Sequence, residues 1–140
     1  MAQVIAKINR TKYKTILLAG DHEWISDEPQ PHGKDLGPTP YDYLLAALGS
    51  CVAITLRMYA DRKGWDLDQV EVHLDQDRIY AKDCEDCTSE EGYVHVIEKK
   101  LKLYSNLSGE QKQRLLEISD RCPINKTLLR EIKIRSELVG

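Results

Sequence analysis

The sequence predicts an α+β domain, because segments with strand character and segments with helix character fall in separate blocks. Three observations carry this prediction. Val4, Ala6 and Ile8 alternate with polar residues, a long apolar stretch with helical spacing runs from Pro40 to Arg62, and two further alternating segments precede two short helical ones. At 140 residues the chain has the size of one ordinary domain, taken as 1–140, with no need of disulfide staples.

The elements follow in order. After the polar turn Asn9 to Lys12, a second extended run from Tyr13 to Leu18 completes a hairpin, and Gly20 to Ser26 supplies another short strand. Asp27 to Pro40, rich in Pro, Gly and charge, is a loop. Thr39 is a fitting N-cap and Pro40 a fitting first helical residue for a helix to Arg62, which Lys63-Gly64 stops. Leu44, Leu48, Cys51, Thr55 and Tyr59 form one stripe, and Leu45, Ala47, Val52 and Leu56 widen it, so this helix is expected to be buried on most sides.

Val70, Val72 and Leu74, continuing toward Ile79, read as a strand with one wet face. The acidic stretch Asp83 to Glu91 is its loop, and Val94, Val96, Leu101 and Leu103 form its partner, with a register adjustment expected near Ile97. Ser108 and Gln111 make a capping box for a helix to Ser119 or Asp120. Cys122-Pro123 begins a short helix through Leu129, and Ile132, Ile134, Ser136 and Leu138 are expected to close the chain as a strand.

A net charge of -3 and a pI near 5.8 leave no basic surplus for nucleic acid or an anionic membrane surface. The start of the chain lacks a basic segment followed by an apolar run, and no window reads as a bilayer span, so a cytoplasmic location is expected. There, four cysteines imply catalysis, metal binding or inert packing rather than a disulfide framework. Phe is absent, so Leu, Ile, Val and Tyr must build the core.

On periodicity alone, Cys51 reads either as a small buried hydrophobe or as a reactive thiol needing a nearby cation, for which Arg10, Lys12, Arg57 and Arg62 are candidates. Cys122 adjoins Arg121 at an expected helix N-terminus, a setting that favours an anion; its alternative is a tolerated cap residue. Cys84-Glu85-Asp86-Cys87 has a spacing shared by redox pairs and zinc half-sites. Asp83, Glu85, Asp86, Glu90 and Glu91 disfavour thiolates and attract a cation, and His73 and His95 on the flanking strands are candidates to complete a zinc site. An ordinary solvated loop is the alternative. His22 and His32 have no spacing that identifies a site.

At Gly37-Pro38-Thr39-Pro40-Tyr41-Asp42-Tyr43-Leu44-Leu45-Ala46-Ala47-Leu48-Gly49-Ser50-Cys51, and again at Cys122-Pro123-Ile124-Asn125-Lys126-Thr127-Leu128, the chain resembles the OsmC/Ohr family of thiol-dependent peroxide-detoxifying proteins. Met58 to Trp65 looks like an OsmC-like branch also found fused to hydrolase domains. The resemblance implies an OsmC-like fold, an intertwined homodimer with long central helices wrapped by β-sheets. It further implies Cys51 as the peroxidatic nucleophile and Cys122 as its resolving partner, acting on organic hydroperoxides in oxidative stress defence. An external dithiol of lipoyl or thioredoxin type would reset them, and the mechanism needs neither metal nor flavin.

One departure stands out: peroxidase members place Glu directly after the helix-starting Pro, whereas here Tyr41 occupies that position and Asp42 follows. The family's activating arginine comes from the first hairpin loop, which offers Arg10 with Lys12 close by. The displaced acid also admits an alternative function, a non-catalytic small-molecule-binding or accessory module on the same scaffold, with or without a structural zinc at Cys84 and Cys87.

Overall fold

In the computed structural model, which describes residues 2–140, the alternating segments at the start of the chain form a three-stranded antiparallel sheet in the order β1 (Ile5–Lys7), β2 (Thr15–Ala19), β3 (His22–Ser26). Gly20-Asp21 turns β2 into β3, with Gly20 at the positive φ of 58° that a two-residue hairpin turn requires. This sheet belongs to a compact unit ending at Ala46; a second unit runs from Ala47 to Gly140.

The loop after β3 is organised by a buried carboxylate. Asp27, 2% exposed, accepts amide hydrogen bonds from Glu28 (2.8 Å), Leu36 (3.1 Å), Tyr13 (3.3 Å) and Lys34 (3.4 Å). Burial pushes its pKa up, but the four amide donors together outweigh burial and hold it below its ordinary value. A depressed folded pKa stabilises the fold above about pH 4, and that contribution fades as pH falls through the folded value. The stability gap between the parent and Asp27→Asn, followed by urea melts, should therefore shrink on acidification. Nearby, Gly37 lies so close to the Ile25 carbonyl that a Cβ there would overlap it.

The long helix α1 runs Pro40–Lys63. Thr39 and Asp42 cap it reciprocally: the Asp42 carboxylate accepts from the Thr39 amide at 2.9 Å, and the Thr39 hydroxyl accepts from the Asp42 amide at 3.3 Å. Gly64, at φ 69°, ends it, with Trp65 N–H bonding the Ala60 carbonyl at 2.8 Å and Gly64 N–H the Asp61 carbonyl at 3.1 Å.

Burial of α1 is one-sided, not all-round as expected. Leu48, Val52, Leu56, Tyr59 and Ala60 are buried, whereas Leu44, Ile54 and Met58 are 38%, 55% and 66% exposed, because a single chain supplies neighbours for one face only. An 18-residue window of α1 has mean hydropathy 1.5, so by length and composition it is apolar enough to cross a membrane, contrary to the sequence expectation. Core helices of soluble proteins share that composition.

In the second unit, β4 (Leu67–Tyr80) and β5 (Tyr93–Ser105) form a long antiparallel hairpin. Its irregularity falls between Leu67 and Gln69, not at Ile97, where the ladder continues opposite Gln76. Alternate residues Val70, Val72, Leu74, Ile97, Leu101 and Leu103 pack against a core of Leu48, Val52, Leu56, Leu115, Ile118 and Cys122. Gly49 admits β4 closely, since a Cβ there would meet Leu74 Cδ1 at 2.7 Å.

Helix α2 (Gly109–Ser119) carries the expected capping box: Ser108 Oγ accepts from the Gln111 amide at 3.1 Å, and Gln111 Oε1 accepts from the Ser108 amide at 2.9 Å. Ser108→Ala should cost about 1 kcal/mol, measurable by chemical denaturation. Helix α3 (Pro123–Leu128) follows. The closing strand is not formed: residues 131–140 have no regular structure, with Ile134 88% and Leu138 92% exposed. Alternation makes a strand only where a neighbour offers a ladder, and the tail pairs with none among the described residues.

Candidate functional site

Cys51 and Cys122, far apart in sequence, are brought together in the second unit. Helix α1 presents Cys51 one turn beyond Leu48, and the turn between α2 and α3 presents Cys122 as the N-cap of α3. Both are free thiols; Cys51 is partly accessible and Cys122 is 0% exposed. The Ile124 amide donates to Cys51 Sγ at 3.4 Å, and the Asn125 amide to Cys122 Sγ at 3.3 Å. Successive amides of one short helix thus hold the two sulfurs as neighbours.

The electrostatics of Cys122 differ from the sequence expectation. Burial pushes its thiol pKa up; the Asn125 amide and the charge of Lys99 pull it down without offsetting that, and Cys51 adds to the upward push. A helix N-cap favours an anion only where water or charge pays for the thiolate, and a fully buried sulfur is deprived of the water. Cys122 is therefore held as the neutral thiol around neutral pH.

The cation beside this pair was missed in sequence. Lys99 on β5, its side chain 11% exposed, donates to the Ser119 carbonyl (3.1 Å), Asp120 Oδ1 (2.8 Å) and Asn125 Oδ1 (3.2 Å). Its three N–H groups are matched by three acceptors on both sides of Cys122, so Lys99 fastens the turn that aims the sulfur. The signal was present: Lys99 falls in the inward phase of Ile97, Leu101 and Leu103, where a lysine is out of place unless partnered. Lys99→Met should cost on the order of 2 kcal/mol and slow Cys51 to Cys122 disulfide formation, with Lys99→Arg restoring part of both; urea melts and diamide-oxidation kinetics read them.

The other predicted residues stand as follows. Arg10 and Lys12 lie exposed in the turn between β1 and β2. Asp42 is in the first turn of α1, its carboxylate engaged by the cap; nine positions on, Cys51 lies roughly 900° around the helix, on the opposite face. Arg57 is directed to Asp61 Oδ1 (3.4 Å) and the Asp68 carbonyl (3.3 Å), and Arg62 lies 5.5 Å from the Tyr59 ring centroid. A cleft of about 400 Å³ bounded by Leu48, His95, Ile97, Lys99, Asn125 and Leu128 adjoins α3.

Cys84 and Cys87 are joined as a disulfide, where the sequence favoured reduced thiols. A turn over Glu85-Asp86 sets their Cα atoms 5.5 Å apart, within bridging range. His73 pairs with Lys100, seven register positions from the Tyr80 to Tyr93 pair that closes the hairpin, or about 23 Å along the strand, and so is out of reach of this loop. His95 Nδ1 faces Gln76 Nε2 at 2.8 Å.

Residues 32–137 match the family described as OsmC-like protein. The chain belongs to the OsmC-like family. Solved structures share the fold: an OsmC-like protein from Mycoplasma pneumoniae is 19% identical with a TM-score of 0.73, over 92% of this chain and 87% of that one. The organic hydroperoxide resistance protein OhrB of Bacillus subtilis is 18% identical with a TM-score of 0.63, over 91% and 89%. An OsmC-like protein of unknown function from Vibrio cholerae is 11% identical with a TM-score of 0.70, over 91% and 92%. No curated protein sequence matches the chain. The mixed helices and sheets of this OsmC-like chain agree with the α+β class expected from its sequence.

Proposed function

We propose that this OsmC-like protein is a thiol-dependent peroxidase that reduces organic hydroperoxides in oxidative stress defence. The observation that carries the reading is the pairing of a partly accessible thiol, Cys51, with a buried neutral one, Cys122, on adjacent amides of α3. The fold shared with a protein named for organic hydroperoxide resistance supports the substrate class.

In this reading the Cys51 thiolate attacks the outer peroxide oxygen, the O–O bond breaks, and the alkoxide takes up a proton and leaves as the alcohol. Cys51 sulfenic acid then condenses with the Cys122 thiol, forming the disulfide and releasing water. An external dithiol, of lipoyl or thioredoxin type, returns both to thiols and leaves as its own disulfide. Arg10 would stabilise the thiolate and the developing charge on the leaving oxygen. Asp42 does not orient it, because its carboxylate is held by the Thr39 amide on the face of α1 opposite Cys51. Homodimerisation belongs to the same proposal: the exposed apolar side of α1 at Ile54 and Met58 and the unpaired alternating tail are surfaces a second copy would cover. So does a cytoplasmic location, where dithiol reductants are maintained.

The test is consumption of cumene hydroperoxide with dithiothreitol as reductant, together with mass spectrometry after one equivalent of peroxide. Turnover with a Cys51 to Cys122 disulfide supports the reading. Failure to consume peroxide despite two free thiols would remove it and leave a binding or accessory role.

A further inference from the structure

The loop that joins β4 to β5 is used by none of this chemistry, yet it is built with some care. Tyr80 and Tyr93 stack at its base with ring centroids 4.7 Å apart, Arg78 lies 4.4 Å from the Tyr93 ring centroid, and the Ala81 amide bonds the Gly92 carbonyl at 2.8 Å. Above this closed base a 3₁₀ turn, Ala81–Asp83, ends with the Cys84 amide on the Ala81 carbonyl at 3.1 Å, so the chain enters the Cys84 to Cys87 segment in a defined direction.

Three ligand-type atoms converge there. The sulfurs of Cys84 and Cys87 and a carboxylate oxygen of Asp86 all lie within 4.8 Å of one another, and Asp86 Oδ1 is 3.3 Å from Cys84 Sγ. Both cysteines are partly accessible and Asp86 is exposed. Lys99, which contacts the Cys122 turn, is six residues along β5 from Tyr93, about 20 Å of strand, so within one chain this pair is a couple separate from Cys51 and Cys122.

We infer that Cys84, Asp86 and Cys87 form a redox-gated site for a soft divalent cation, zinc being the representative. In the oxidised form the sulfurs are committed to each other and offer no thiolate. A dithiol reductant supplies two electrons and two protons, the S–S bond breaks, and its own disulfide leaves. The ion then displaces both thiol protons, and across a tetrahedral ion the sulfurs need separate only to about 3.8 Å, given Zn–S bonds of about 2.3 Å. Side-chain rotation alone can supply that from Cα atoms 5.5 Å apart. Asp86 is the third ligand and solvent the fourth. A hydroperoxide reverses the gate: the two ion-bound thiolates give up two electrons and become the disulfide, the peroxide takes those electrons with two protons from solvent and becomes alcohol and water, and the ion is released.

The ligand set selects the ion. Two thiolates disfavour calcium and magnesium, which take oxygen ligands, and favour zinc and its soft relatives. Asp83, Glu85, Glu90 and Glu91 surround the site with negative charge, against Lys82 within the loop and Arg78 at its base. That field repels a bare pair of thiolates and attracts the cation that neutralises them.

The experiment uses the full chain carrying Cys51→Ser and Cys122→Ser, so that only this pair contributes thiols and the result is independent of the peroxidase reading. Zinc binding to reduced and diamide-oxidised protein is measured by competition with a chromophoric chelator, and cobalt(II) replaces zinc to reveal thiolate ligation by its near-ultraviolet charge-transfer absorption. One ion per chain is expected in the reduced form only, with the cobalt–thiolate band. Asp86→Asn should weaken binding by at least about tenfold, since even outer-shell partners of a metal contribute that much. Equal binding by reduced and oxidised protein, binding that survives Cys84→Ser with Cys87→Ser, or no binding by folded reduced protein would overturn the inference. Circular dichroism establishes folding in each case.

Discussion

Cys51→Ser should reduce hydroperoxide turnover at least about a thousandfold, the scale on which an enzyme loses activity with its nucleophile. A serine hydroxyl is almost wholly protonated at neutral pH and is a far weaker nucleophile toward a peroxide oxygen than a thiolate. The substitution is nearly isosteric, and Cys51 is only partly buried while accepting one long amide bond from Ile124, so the fold should be retained. Cys122→Ser should behave differently. The first peroxide equivalent is still reduced, because Cys51 is intact, but no resolving thiol meets the sulfenic acid and the reaction stops after about one turnover per chain unless the external dithiol attacks directly. Stopped-flow peroxide consumption, with dimedone trapping of the sulfenic acid, separates the two variants. Equal steady-state rates for the parent and Cys51→Ser would end the peroxidase proposal.

Leu115→Ala should lower stability by about 2–5 kcal/mol, whereas Leu116→Ala next to it should lower it far less. Leu115 is 0% exposed within the cluster that includes Val52, Leu56, Ile118 and Cys122, so its truncation leaves a cavity the helices cannot close without shifting. Leu116 is 42% exposed and part of its side chain is already in water. The prediction reaches the candidate site as well, since Leu115 and Cys122 share that core. Loss of packing there should raise the accessibility of Cys122 to alkylation in proportion to the loss of stability. Urea melts of the two variants check the first claim and iodoacetamide labelling the second; equal destabilisation by the two alanines would contradict the burial of Leu115.

Much of this was legible in the residues. Thr39-Pro40, Lys63-Gly64 and Ser108 with Gln111 mark helix ends because caps act within a few residues of chain, and the structure places all three as expected. Alternation located β4 and β5 because one hairpin supplies its own ladder. The same alternation misled at Ile132 to Leu138, where no neighbouring strand is present among the described residues to complete it.

The cysteine motifs were legible through resemblance, and the family match over residues 32–137 agrees with that resemblance. Their chemistry was not. A helix N-terminus argued for an anionic Cys122, but burial, which depends on α1, α2 and β5 together, pushes its thiol the other way. Leu115 and Leu116 are interchangeable to the eye, and only packing distinguishes them. Lys99 looked like one more charged residue until its neighbours supplied three acceptors.

By itself, then, the sequence determined the helices with their ends, the two hairpins and the family, because helix caps, hairpins and motifs are carried in nearby residues. It did not determine the fate of the alternating tail, because a lone strand needs a distant partner. Only the tertiary structure decided that Cys51 and Cys122 meet, which of them is shielded from water, and that Cys84 and Cys87 stand apart from them. Desolvation and proximity are properties of the surroundings, and those surroundings are assembled from segments distant in the chain.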